Sequence, residues 1–170
     1  DGDGRNELVV GAPLTDGLVV QDLGAIWILN LKGNGIVSGE KKLMTITGTA
    51  QASERFGVSV AGLGDVNGNG VPDLAVGAED GIEDYGAIWI LTLNSDGSLD
   101  TSAGPGYTKL GQGLNGAPQP KQGIHFGGAV AAMGDLDGDD VPDLTASSYA
   151  ESNDCIECGT VWTLFLNSDG

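Results

Sequence analysis

Two loops rich in aspartate and asparagine are the clearest candidates for chemistry in this sequence. In each, side chains with oxygen atoms stand at positions 1, 3, 5 and 9, and a valine at position 7 offers its backbone carbonyl. Gly138 allows a tight turn in the later loop. Several oxygens from one loop suit a large, hard cation, so the spacing predicts calcium; magnesium prefers few protein ligands and retained water. The predicted ligands are Asp65, Asn67, Asn69, Val71 and Asp73 in the earlier loop, and Asp135, Asp137, Asp139, Val141 and Asp143 in the later loop.

A third, partial loop of the same kind opens the sequence. Its predicted ligands are Asp1, Asp3, the Arg5 carbonyl and Glu7, at positions 3, 5, 7 and 9, while position 1 lies before the first residue. On the number of carboxylates alone, we expect the loop at 135–143 to hold calcium more tightly than the loop at 65–73.

Two alternatives to this calcium hypothesis were compared with the residues. An EF-hand begins in the same way but needs a glutamate at position 12 and a helix on each side. Position 12 is Val76 in the earlier loop and Ala146 in the later one, both within apolar strand patterns. The EF-hand interpretation therefore fails, whereas acidic turn residues without a metal remain an alternative.

The net charge of the chain indicates which kinds of molecule it can bind. The sequence has 24 acidic and 7 basic residues and a formal net charge of −17. Nucleic acids and anionic membrane surfaces would repel such a chain, whereas cations would be attracted. An acidic surface kept for solubility is the alternative explanation. No apolar run approaches the ~20 residues needed to cross a bilayer, so we predict no membrane span in this segment.

The sequence contains three copies of one repeat unit. Residues 65–78 and 135–148 align without a gap, and residues 1–13 match them from the third position on. Three tryptophan-containing blocks follow these stretches, and two blocks that begin with Phe-Gly precede the later two. The blocks are GAIWILNL at 24–31, GAIWILTL at 86–93, GTVWTLFL at 159–166, FGVSVAGLG at 56–64 and FGGAVAAMG at 126–134. One unit is about 60–70 residues long, which is in the range of propeller blades.

Each unit has the pattern of a four-stranded antiparallel blade. The order within a unit is a Phe-Gly strand, an acidic loop, a buried strand, a variable loop and a tryptophan strand. Outer strands are predicted near 41–47 and 107–110. We therefore predict an all-β fold of three β-propeller blades. Three units cannot close a ring, so the propeller is partial or open. The predicted units are an incomplete first repeat at 1–37, a second at 38–100 and a third at 101–170.

These residues resemble FG-GAP repeats, the units of the propeller at the head of integrin α chains and of many bacterial and algal surface proteins. Phe56-Gly57 and Phe126-Gly127 match the first half of the motif, and Gly11-Ala12-Pro13 and Gly77-Ala78-Glu79 match the second. The third unit departs from the motif at Ser147-Ser148-Tyr149. The tryptophan strands are more similar to those of microbial members than to those of animal integrins.

The resemblance implies an extracellular or cell-surface module for adhesion or ligand binding, in which calcium makes the loops rigid. It places protein or glycan ligands at the loops opposite the calcium sites, here 14–23, 79–85 and 149–159. Because three units do not close, an alternative is a structural subunit of an extracellular filament or sheath built from further copies of the chain. A third hypothesis is a propeller attached to an enzyme that lies outside this segment.

Cys155 and Cys158 lie in a variable loop. With one pair and no nearby histidine, they cannot form a closed zinc site within the chain. We predict a small disulfide between them, with a redox pair or free thiols as alternatives.

The sequence has no pattern that indicates an enzyme. It contains no nucleophile elbow, phosphate loop or dinucleotide fingerprint. A pair of glycosidase carboxylates is not excluded by composition, but the acids in register are assigned to metal. We predict that His125, the only histidine, is packed or faces solvent and is not catalytic. Trp27, Trp89 and Trp162 occupy the same point of each strand, which favours blade core over a platform for stacking sugars.

Overall fold

A computed structural model describes residues 6–17, 21–44, 54–80, 85–111, 113–117, 123–149 and 159–168. All regular secondary structure in these ranges is β-strand, which confirms the predicted fold class. The strands are β1 (Leu8–Ala12), β2 (Ala25–Leu31), β3 (Val37–Met44), β4 (Phe56–Gly64), β5 (Asp73–Ala78), β6 (Ala87–Leu91), β7 (Tyr107–Leu110), β8 (Phe126–Gly134), β9 (Asp143–Ser148) and β10 (Thr160–Leu164). Within the described ranges, no helix has the length and apolar character needed to cross a bilayer.

The strands form three antiparallel sheets in chain order. The second sheet has four strands in the order β4-β5-β6-β7 and is a complete blade. The first sheet contains β1-β2-β3, and the third contains β8-β9-β10. By comparison with the second sheet, the described strands of the first lack the inner strand and those of the third lack the outer strand. This arrangement confirms a partial propeller of three units.

The central strand β5 shows why an apolar run forms a strand here. All six of its residues are buried, because a neighbouring sheet covers each face. Leu74 and Val76 join a core with Ile26 and Ile28 of the first sheet. Ala75 points the other way and joins a second core with Leu144 of the third sheet. Alternate residues thus fill the two cores on either side of the blade.

Each Phe-Gly block locks its sheet onto the preceding one. Phe56 and Phe126 are 1% and 0% exposed, and they form parallel bridges with Gly24 and Gly86 of the preceding sheet. The glycines that follow them have φ angles of 92° and 90°, which L side chains rarely adopt. A Cβ atom on Gly77 would lie 2.0 Å from the backbone oxygen of Gly127. The two halves of the repeated motif therefore touch across each sheet boundary, at what we call the Phe-Gly junction.

The outer strands lie at the ends of their own sheets. β3 pairs with β2, and β7 pairs with β6. β7 coincides with the predicted outer strand at 107–110, whereas β3 begins earlier than the strand predicted near 41–47, of which residues 45–47 lie outside the described ranges. Hydrogen bonding thus assigns 37–44 to the first sheet and 107–110 to the second. The division of the sequence into 1–37, 38–100 and 101–170 stays a prediction.

The third unit keeps the strand register despite its altered motif. Gly134 pairs with Asp143 and Phe126 with Ser148, as Gly64 pairs with Asp73 and Phe56 with Ala78 in the second sheet. The pair equivalent to Ser59 and Gly77 is missing at Ser147, where the Ala129 N–H group donates to the Ser147 hydroxyl at 3.0 Å.

Candidate metal centres

The two complete acidic loops occupy equivalent places in the second and third sheets. Residues 65–72 join β4 to β5, and residues 135–142 join β8 to β9. Position 9 of each loop, Asp73 or Asp143, is the first residue of the following strand and is fully buried. The loops therefore lie at the same end of the blades.

The aspartate at position 1 shapes each loop. Asp65 and Asp135 accept hydrogen bonds from the backbone N–H groups three, four and five residues later. The distances are 2.8, 3.1 and 2.7 Å for Asp65 and 2.6, 3.2 and 3.0 Å for Asp135. Gly138 has a φ of 87°, as the predicted tight turn requires. Asp140 has a φ of 67° at the position of Gly70, a departure that the spacing of ligands did not indicate.

Positions 3 and 5 make matching contacts although the residue types differ. The Oδ1 atoms of Asn67 and Asp137 each accept a bond from the N–H group two residues later, at 3.1 and 3.3 Å. At position 5, the Oδ1 atoms of Asn69 and Asp139 accept bonds from the following valine N–H groups, at 2.7 and 2.9 Å. The amide oxygens of the earlier loop thus take the place of carboxylate oxygens in the later one.

The aspartate at position 9 ties each loop to the end of the tryptophan strand. Asp143 accepts bonds from the N–H groups of Leu136 at 2.7 Å and Leu166 at 3.0 Å. Asp73 accepts equivalent bonds, 2.8 Å each, from Val66 and Leu93. Burial raises the pKa of the Asp73 carboxyl, while these backbone bonds oppose the rise. Sequence spacing predicted these aspartates as ligands but did not indicate that they bridge two segments.

The later loop fits a calcium ion. Carboxylate oxygens of Asp135, Asp137 and Asp143 lie within 4.8 Å of one another. Calcium ligands stand 2.3–2.6 Å from the ion, so two oxygens on one ion are separated by up to about 5 Å. Desolvation raises the pKa of the Asp137 carboxyl, and the negative charge of Asp139 raises it further. The structure brings these three predicted ligands together, and Asp139 lies outside the group.

The earlier loop has a contact that its spacing did not predict. Asp100, in the connection between β6 and β7, accepts hydrogen bonds from the side-chain amides of Asn67 at 3.2 Å and Asn69 at 3.1 Å. Hydrogen bonds from Ser102, followed by that from Asn69, lower the pKa of the Asp100 carboxyl to about 2. The repeat carried no signal for this residue, because the equivalent position in the first unit is Ser38.

Several predicted site residues lie outside the described ranges. These are Asp1, Asp3, Arg5, Cys155 and Cys158. Glu7, the remaining predicted ligand of the first loop, is half-buried directly before β1. The first calcium site and the disulfide therefore stay predictions.

Polar side chains cluster at the opposite end of the blades from the acidic loops. Arg55 lies 3.4 Å from a carboxylate oxygen of Glu79 and 3.0 Å from one of Asp80. The Nδ1 atom of His125 lies 2.9 Å from Asp80, and its ring stacks on Tyr149 at a centroid distance of 4.8 Å. His125 is thus packed at the boundary between the second and third sheets. We call this group the upper polar cluster.

The tryptophans differ in burial. Trp89 is 0% exposed, with the Phe56 ring centroid 6.2 Å away and that of Tyr107 5.4 Å away. Trp27 and Trp162 are half-buried. Trp89 is therefore part of the blade core and offers no face on which a sugar could stack.

A cleft lies between the first and second sheets. It has a volume of about 610 Å³, and its apolar lining includes Val9, Ile28 and Leu74. Leu63 and Val66 pack into the core between the second and third sheets, which is the equivalent core one repeat later. We assign no ligand to this cleft.

A comparison with protein families decides the class of the chain. The family described as FG-GAP repeat matches residues 1–29 and 56–91. The chain belongs to the FG-GAP repeat family. The two matched ranges contain the earlier acidic loop, the first Phe-Gly block and both Gly-Ala motifs. Of these parts, Phe56-Gly57 and Gly11 meet at the Phe-Gly junction between the first and second sheets.

Relatives of this FG-GAP chain include several integrin α chains. Integrin alpha-PS2 of Drosophila melanogaster is 39% identical over 158 residues, which cover 88% of the chain and 11% of that protein. Integrin alpha-5 of Xenopus laevis is 32% identical over 86% of the chain and 13% of that protein. Integrin alpha-6 of Homo sapiens is 31% identical over 88% of the chain and 12% of that protein. The chain therefore spans about an eighth of the length of these relatives. The closer similarity to microbial members stays a prediction.

Proposed function

We propose that this FG-GAP segment is an extracellular calcium-binding module for adhesion or ligand binding. One observation carries the proposal: the two acidic loops have the same hydrogen bonds at positions 1, 3, 5 and 9 although their sequences differ. Calcium binding requires several oxygens close together, and in the later loop carboxylate oxygens of Asp135, Asp137 and Asp143 lie within 4.8 Å of one another. The similarity to integrin α chains supports the extracellular location and the adhesive role.

Calcium would act on structure rather than on chemistry. Asp73 and Asp143 already tie their loops to the tryptophan strands through backbone bonds. An ion bound to the same carboxylates would join the loop to the strand that follows and offset the repulsion among the aspartates. Extracellular calcium modules typically bind with a Kd on the order of 10⁻⁴–10⁻³ M, and we expect this class of affinity here.

The ligand would meet the end of the blades opposite the calcium loops. There, the upper polar cluster presents Arg55, Glu79 and Tyr149 between the second and third sheets. Tyr149 is exposed, and an exposed aromatic ring beside charged groups is a common anchor in protein and glycan recognition. The partner we propose is therefore a protein or glycan ligand.

A binding role also accounts for the residues that could have served catalysis. The carboxylates in register accept backbone hydrogen bonds, as Asp143 does from its own loop and from the end of the tryptophan strand. His125 is held by Asp80 and stacked on Tyr149 at a sheet boundary. We therefore propose that the segment is not an enzyme.

The filament hypothesis has one supporting observation. Among the described strands, β10 lies at the edge of the third sheet. Val161 on this strand and Phe165 just after it are 74% and 60% exposed. Exposed apolar edges favour strand addition by another chain. Further copies of the chain are thus the alternative partner.

Electron microscopy combined with a binding assay distinguishes the two roles. The purified protein is imaged in calcium and applied, fluorescently labelled, to arrays of glycans and extracellular matrix proteins. We expect isolated particles, and retention on a subset of spots that a chelator abolishes and Tyr149→Ala weakens. Regular fibres would support the filament hypothesis instead, and retention that is equal in calcium and in chelator would contradict calcium-dependent adhesion.

A further inference from the structure

A carboxylate outside the acidic loops lies behind the ligands of the earlier loop. Asp100 belongs to the connection between β6 and β7, in the same sheet as the loop. One of its oxygens, Oδ2, accepts hydrogen bonds from the Nδ2 atoms of both Asn67 and Asn69. These are the side chains at positions 3 and 5 of the loop, so a single carboxylate contacts both of the amides that replace aspartates there.

This contact selects the orientation of the two amides. An asparagine side chain has one oxygen acceptor and one nitrogen donor, so it can bind a cation only when the oxygen faces the ion. Asp100 attracts the nitrogens and would repel the oxygens. The oxygens instead accept bonds from the loop backbone, as the oxygens of Asp137 and Asp139 do in the later loop. Asp100 thus holds the amides in the orientation that calcium ligation needs.

Asp100 is itself fixed in place. Its N–H group donates to the Thr92 carbonyl at 2.7 Å, and its Oδ1 atom accepts a bond from the Ser102 N–H group at 2.9 Å. Leu93, the next residue of the same segment, accepts a bond from the Asn69 amide through its carbonyl at 2.9 Å. The amide of Asn69 is therefore held from two directions by one short segment.

We propose that Asp100 is a positioning residue for the calcium site of the earlier loop. It turns the oxygens of Asn67 and Asn69 toward the ion and adds a third carboxylate to a loop that contains only Asp65 and Asp73. This inference rests on the proposed calcium binding. It also reduces the difference in affinity that the carboxylate count alone predicts between the two loops.

The test isolates the earlier loop and removes one charge. In an Asp135→Ala background, which disables the later loop, calcium affinity is measured by isothermal titration calorimetry before and after Asp100→Asn. Loss of a residue that orients metal ligands typically weakens affinity 10–100-fold, so we expect the Kd to rise about 10-fold or more.

The matched control is Asp96→Asn. Asp96 lies in the same connection, and its carboxylate contacts Ser98 and Lys41 rather than the loop. Its substitution removes the same charge, and because exposed charges are screened by salt we expect a change of less than about twofold. In an Asp65→Ala background, where the later loop is left to bind calcium, the large effect of Asp100→Asn is expected to disappear.

The outcomes separate this inference from the calcium proposal. If Asp135→Ala still binds calcium and the two asparagine variants have the same Kd, Asp100 does not position the site, although calcium binding stands. If the wild type binds calcium but Asp135→Ala does not, the earlier loop is not a site and the inference about Asp100 fails alone. If the wild type binds no calcium, both proposals are wrong.

Discussion

At the scale of single residues, the aspartate at position 9 differs from the other candidate ligands. Asp143 is buried and satisfies two backbone N–H groups, those of Leu136 and Leu166. Asp137 is exposed, and desolvation followed by the negative charges of neighbouring carboxylates raises its pKa. Asp143 therefore stabilises the loop without an ion, whereas repulsion among the carboxylates opposes the one backbone hydrogen bond that Asp137 accepts.

Stability in the presence of a chelator should show this difference. Asp143→Ala leaves buried N–H groups without an acceptor, at a cost of about 1–3 kcal/mol. Asp137→Ala removes a repelled charge, so we expect the free energy of unfolding to stay the same or to rise slightly. Urea unfolding in chelator measures both. Equal losses for the two variants would contradict this difference between the two aspartates.

Sequence spacing was sufficient to place the acidic side chains of the loops but not their outside partners. The alternation of ligands with loop residues predicts which oxygens can converge, and the structure brings Asp135, Asp137 and Asp143 together. The hydrogen bonds from Leu93 to Asp73 and from Asn67 to Asp100 join segments that are separated along the chain by at least one whole strand. Such contacts depend on sheet pairing, which a local pattern does not encode.

At the scale of strands and sheets, the Phe-Gly junction explains the repeated motif. Phe56 enters the core between the first and second sheets, and Phe126 enters the core between the second and third. The glycine after each phenylalanine turns its carbonyl toward a glycine of the preceding sheet. A side chain on that second glycine would push the two sheets apart.

Gly77→Ala tests this close approach. Its Cβ atom would lie 2.0 Å from the Gly127 oxygen and 2.2 Å from the Ser59 hydroxyl, and backbone must shift to relieve the first contact. Overpacking of this kind costs about 1–3 kcal/mol, so we expect the free energy of unfolding in urea to fall by that amount.

Gly62→Ala is the control for that experiment, because nothing lies within 4 Å of the corresponding Cβ position on β4. We expect a change within about 0.5 kcal/mol, as for most exposed substitutions. If both glycines tolerate alanine equally, the junction is not the reason for the Gly-Ala motif.

Most of the strands could be predicted from the apolar blocks. The predicted blocks at 56–64, 126–134 and 107–110 coincide with β4, β8 and β7. The start of β3 at Val37 was missed, because its residues are largely exposed and carry little apolar periodicity. The Phe-Gly junction could not be predicted from the sequence either, because it brings together glycines that are far apart in the chain and depends on positive φ angles.

At the scale of the whole molecule, we infer that bound calcium ions offset part of the excess negative charge of the chain. The chain has 24 acidic residues against 7 basic ones. Self-repulsion destabilises a compact state, and calcium bound at the end of adjacent blades would reduce it where the aspartates are most concentrated. Stability should therefore depend on calcium more strongly than on any single surface ion pair.

Thermal unfolding in excess calcium and in a chelator tests this central claim most directly, with Asp65→Ala and Asp135→Ala beside the wild type. A site occupied at 100 times its Kd contributes about 2.7 kcal/mol, which raises the Tm of a chain of this size by about 5–10 °C. We predict a higher Tm in calcium for the wild type and a smaller gain for each variant, with the larger loss for Asp135→Ala. The same Tm for the wild type in calcium and in chelator would contradict the account.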